Sequence, residues 1–88
     1  MTVSILGMKY KVSYETSEQM KGELGMCTPW KLDIRINKEA PAAQQEETLI
    51  HEALHCISDE LLLELNEETI QRLAAGLHSC GCRVRVDK

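Results

Sequence analysis

The residues of this chain best suited to chemistry are His51-Glu52-Ala53-Leu54-His55, a His-Glu-x-x-His pattern inside a long run of helical periodicity. Residues four apart on a helix stand one above the other, so His51 and His55 can offer nitrogens to a single metal ion. Glu52 falls about 100° round the helix, beside such an ion rather than beneath it. A carboxylate there can accept a proton from a water whose pKa the metal lowers. These residue types at this spacing point to a zinc-dependent hydrolase, with His51 and His55 as ligands and Glu52 as general base.

Two imidazoles do not complete a site, because catalytic zinc takes three protein ligands and keeps one position open. Asp59 continues the histidine face but lies two turns further on. At a rise of 1.5 Å per residue it is about 12 Å from His51, too far to share one ion. It suits a surface charge or a hydrogen-bonding partner of a ligand. Glu64, Glu67 and Glu68 are the other nearby acids, and His78 is the one remaining imidazole. His78 comes back toward His51 if two helices lie antiparallel. Tyr10, Tyr14 and His78 are the candidates for stabilising an oxyanion.

The elements that must hold these groups are legible as alternation and punctuation. Strands are expected at residues 2–6, 9–14, 24–27 and 31–36. Tyr10, Val12 and Tyr14 alternate with Lys9, Lys11 and Ser13, and Leu32, Ile34 and Ile36 alternate with Lys31, Asp33 and Arg35. Gly7-Met8 turns the first strand into the second, and residues 15–22 form a polar loop or a short helical turn. Thr28-Pro29-Trp30 is a connection, since proline removes a ladder donor, with Trp30 as a lid over the core. Consecutive short strands favour a small antiparallel sheet.

Pro41 suits the first position of a helix that continues to residue 65. Its stripe of Ile50, Leu54, Ile57, Leu61 and Leu65 should pack on the sheet, with His51 and His55 flanking it. Asn66 is a natural N-cap for a second helix over 67–80, and Gly81 suits its C-terminal stop. Ile70, Leu73, Ala74 and Leu77 form that helix's apolar stripe. Residues 83–86 suit either a short strand or an extended tail.

Composition narrows the class. Eighty-eight residues without Phe, and with one Trp, imply one domain (1–88) with a core of Leu, Ile, Val, Met and Ala. The stretch from Glu39 to Gln71 carries nine acids and no Lys or Arg, which argues against a nucleic-acid partner. No apolar run is long enough for a membrane span, and the N-terminus reads as mature sequence rather than a signal peptide. Cys56 sits within the long helix, and Cys80 and Cys82 flank Gly81. Four reduced thiols in a cytoplasmic protein are therefore expected.

Thr48-Leu49-Ile50-His51-Glu52-Ala53-Leu54-His55, followed by Glu67-Glu68-Thr69-Ile70-Gln71-Arg72-Leu73-Ala74-Ala75-Gly76-Leu77, resembles the small phage- and prophage-encoded relatives of the ImmA/IrrE metallopeptidases. The preceding Ile34-Arg35-Ile36-Asn37 strand belongs to the same likeness. The resemblance implies an α+β, minimal zincin-like fold of the gluzincin type, a small sheet packed against the HExxH helix and a second, ligand-bearing helix. It implies Glu67 as the third ligand of a Zn²⁺ ion held by His51 and His55. Gln71 departs from the Asn or Asp that larger members carry, which leaves Glu68 open as the alternative. The implied activity is peptide-bond hydrolysis by metal-activated water, acting on a peptide or protein substrate. The alternative is a non-catalytic, zinc-stabilised module that binds a host or phage regulator.

Overall fold

The computed structural model describes all 88 residues, Met1–Lys88. Strands β1 (Thr2–Ile5) and β2 (Met8–Glu15) form a hairpin whose two-residue turn, Leu6-Gly7, holds both residues at positive φ. Tight hairpin turns of the primed type need this backbone, and Gly7 adopts it without a Cβ clash. Residues 16–24 then cross over in a series of turns to β3 (Gly25–Thr28). A 3₁₀ turn at Pro29–Lys31 leads into β4 (Asp33–Asn37).

The sheet order is β1-β2-β4-β3. β3 is antiparallel to β4, but β4 is parallel to β2, with Val12 opposite Ile34 and Tyr14 opposite Ile36. The sheet is therefore mixed, not antiparallel as expected. The crossover sets β3 down one strand's width away from β2, and β4 returns into the gap in β2's own direction. The 3₁₀ turn also takes up Lys31 and leaves Leu32 in left-handed backbone (φ 52°), so β4 starts later than the alternation suggests. Trp30 on this turn is 81% exposed and carries the Lys31 ammonium over its ring; it is not a lid on the core.

Helix α1 (Ala42–Leu61) lies across the sheet, with Pro41 just before its first turn in extended backbone. Its sheet-facing stripe is Leu49, Ala53 and Cys56, packed on Val3, Ile5, Tyr10, Val12, Ile34 and Ile36. This is one position round from the expected stripe, of which Ile57 still packs against the same core. Ile50 is buried outside that cluster, and the buried residues of α2 (Glu67–Ser79) are Ile70 and Ala74. Leu61, Leu62 and Leu63 are exposed.

Helix α1 stops four residues short of the expected end because Leu62 is left-handed (φ 53°, ψ 42°). The Leu62 N–H donates to Asp59 C=O (3.3 Å) and the Leu63 N–H to Ser58 C=O (2.9 Å), the paired bonds of a Schellman turn. The buried Ser58 hydroxyl accepts the Leu65 N–H (3.1 Å) and holds the connection to α2.

At the C-terminus, Thr2 and Asp87 exchange both backbone hydrogen bonds at 2.8 Å, and Val84 and Val86 pack on the core. The tail thus covers the β1 edge. No helix is long and apolar enough to cross a membrane.

Cys27 of β3 and Cys56 of α1 are joined by a disulfide, so the expectation of four reduced thiols is corrected. Cys56 is buried as a helix-core residue should be, and the strand beneath it brings Cys27 into bonding reach. Cys80 and Cys82 are free and exposed.

Candidate metal centre

The site forms where α2 begins beside the middle of α1. The Asn66 side chain accepts the Thr69 N–H (2.8 Å), which caps α2 and sets Glu67 in its first turn. A carboxylate is favoured there by the helix dipole. Glu67 Oε1 lies 2.6 Å from His51 Nε2, and Glu67 Oε2 lies 2.7 Å from His55 Nε2. The two imidazole rings are 5.0 Å apart, as their i, i+4 spacing requires. His51, His55 and Glu67 each offer one donor atom within 4.8 Å of the others.

Two imidazoles and a carboxylate form a donor set that suits zinc. Glu67, exposed and at the tip of its helix, is the partner free to adjust to metal-ligand bonds. Glu68 turns away and pairs with Arg72 one helical turn on, so of the two acids it is Glu67 that meets the histidines.

Glu52 is only 7% exposed, and its carboxyl is pushed up to about 7 in the metal-free protein. Burial is the main cause, followed by the negative charges of Glu67 and Glu23. Glu23 carries no motif signal and was not among the expected site residues. It is drawn in by Asn37, which is 3% exposed and donates to Ser17 Oγ (2.8 Å) and to the Glu23 C=O (3.1 Å). These bonds pin the crossover loop to the end of β4.

Gly25 is the second residue that sequence reasoning missed. A Cβ there would lie 2.5 Å from Thr48 Cγ2 and 2.9 Å from Glu52 Oε2. Only glycine lets β3 lie this close to α1. Gly25→Ala should therefore lower stability by about 1–3 kcal/mol, the usual range for overpacking. Urea unfolding measures this, and Thr48→Ser in the same chain should recover part of the loss by removing the clashing methyl. Equal stability of Gly25→Ala and wild type would show that the strand is not held against the helix.

Between β3, α1 and the start of α2 lies a cleft of about 630 Å³. Its lining includes His51, Glu52, His55 and Glu67, with Glu23, Asp59 and Glu64 and without any Lys or Arg. Asp59 and Glu64 thus face the cleft without joining the donor group. β3 is the edge strand here, and no backbone hydrogen bond outside its ladder with β4 involves Gly25–Thr28.

The three oxyanion candidates lie elsewhere. Tyr10 is in the core, Tyr14 packs against it, and neither lines the cleft. Burial raises the Tyr10 hydroxyl's pKa, with Glu60 and Asp59 adding to the effect. His78 does return to α1, but one turn too early: its Nε2 lies 3.1 Å from Glu46 Oε1, which Arg83 Nε also approaches at 3.3 Å. The His78 hydrogen bond is the main cause that holds the Glu46 carboxyl below its ordinary pKa. No family model, curated protein or solved structure matches the chain.

Proposed function

We propose that the chain is a zinc-dependent peptidase of minimal zincin-like build, akin to the ImmA/IrrE metallopeptidases its motifs resemble. The observation that carries this reading is the convergence of His51 Nε2 and His55 Nε2 on the Glu67 carboxylate, with buried Glu52 beside them. Bound zinc would act as a Lewis acid on the scissile carbonyl and make an attacking water more acidic. Glu52 takes the proton of that water and returns it to the departing amine. The open edge of β3 binds an extended peptide by strand addition, through backbone bonds that are indifferent to side chains. Glu23, Asp59 and Glu64 favour substrates with Lys or Arg near the cut.

The test is hydrolysis of a broad peptide library by the zinc-loaded protein. Glu52→Gln should keep its zinc and lose about 10²–10⁴-fold in rate, the usual contribution of a general base. A wild type that binds zinc yet cuts nothing would sink the peptidase reading. It would leave the same three ligands as a structural clamp in a binding module.

A further inference from the structure

We propose that Cys80 and Cys82 form a second metal site, a dithiol clip for a soft, two-coordinate d¹⁰ ion such as copper(I). It lies at the far end of α2 from Glu67 and does not depend on the peptidase reading.

The clip is built by the way α2 ends. Cys80 closes the helix and Gly81 is left-handed (φ 93°), a conformation glycine takes without strain. The Gly81 N–H donates to His78 C=O (3.1 Å) and the Cys82 N–H to Leu77 C=O (3.0 Å). This is a second Schellman turn, and it fixes the backbone on both sides of the glycine. Both cysteines therefore project from one rigid turn, and both are exposed and unpaired. The Cys80 thiol donates to the Leu77 C=O (3.4 Å), and its nearness raises the Cys82 thiol pKa.

Charge and ligand count then select the ion. Arg83 wraps the same turn, donating from one guanidinium nitrogen to His78 C=O (3.2 Å) and Cys82 C=O (2.7 Å). Two thiolates around a monovalent ion leave one net negative charge beside the Arg83 guanidinium, which also pairs with the Glu46 carboxylate (3.3 Å). His78 is engaged by Glu46, and no third His, Cys, Asp or Glu donor completes a cluster here. Zinc wants four ligands and is poorly served by two. Thiolates alone favour a soft ion that is content with two. Binding releases both thiol protons, so that two thiols and one copper(I) ion give one bis-thiolate complex and two protons.

The experiment titrates the full-length protein anaerobically with copper(I) against a chromophoric copper(I) chelator. Wild type should take one equivalent and show thiolate-to-metal absorption in the ultraviolet. Cys80→Ser and Cys82→Ser should each bind more weakly, and the double variant should lose the equivalent while keeping its circular dichroism spectrum and its zinc affinity. Retention of the equivalent by the double variant, or its displacement from wild type by stoichiometric zinc, overturns the assignment.

Discussion

Glu67→Ala should lose zinc affinity by more than 100-fold while the fold stands. Glu67 is mostly exposed and adds no apolar packing, whereas α2 is held by buried Ile70 and Ala74 and by the Asn66 cap. Its contacts to the two imidazoles are partly solvated and add little to stability in the metal-free protein. For zinc the loss is different in kind. Removing a group that merely orients a ligand costs about 10–100-fold in affinity, so removing one of the three proposed ligands should exceed that. Glu68→Ala is the control, because Glu68 pairs with Arg72 on the outer face of α2. Competition against a chromophoric chelator measures both variants, and circular dichroism checks that α2 persists. If Glu68→Ala weakens zinc as much as Glu67→Ala, the third ligand is misassigned.

The second large effect is on the pH dependence of the metal-free protein, and Glu52 is its source. The folded carboxyl is raised from the ordinary 4.5 to about 7, so between those values the folded chain holds a proton that the unfolded chain has released. Stability from this group is complete below pH 4.5 and drains away as pH rises through 7. The full span is worth about 3 kcal/mol at 1.36 kcal/mol per pKa unit. Glutamine cannot ionise, so Glu52→Gln should lack this decline and be the more stable protein above pH 7. Urea unfolding of both proteins in chelator, at pH 4.5, 6 and 8, reads the difference directly. Parallel curves for wild type and variant would mean that Glu52 is ionised and solvated in the folded state.

Local helix geometry was legible in the sequence, and non-local geometry was not. The i, i+4 spacing of His51 and His55 and the capping role of Asn66 follow from helix geometry alone. Alternation in β2 and β4 marks which side chains face the core, but it carries no information about strand direction. The parallel β2–β4 seam depends on how the crossover lays the chain, so it could not be read from either strand. Leu62 ends α1 without the glycine that usually marks such a turn, and the leucine run therefore reads as more helix.

The α1 stripe was shifted by one position because an alanine and a cysteine, Ala53 and Cys56, stand on the sheet face where pattern reading looks for large aliphatics. Trp30 misleads in the opposite sense. Its size argues for burial, but it stands on a turn that projects into solvent. Glu23 and Gly25 act through tertiary approach alone, by charge in one case and by the lack of a side chain in the other.

The bridge between Cys27 and Cys56 also shapes the chain when it is not folded. It joins positions 29 apart in sequence. In a chain-entropy account, closing a loop of that length removes about 3.5 kcal/mol of freedom from the unfolded ensemble. That is a large share of the roughly 5–15 kcal/mol on which a domain's stability rests. The two pairs of cysteines then make opposite demands on the solution, since the clip must be reduced and the bridge closed. Access separates them. Thiol exchange requires an attacking thiolate to reach a sulphur; Cys56 has no exposed surface and Cys27 is only partly open, while Cys80 and Cys82 stand in solvent. A mild, dilute thiol therefore reaches the end of α2 well before it opens the bond between Cys27 and buried Cys56.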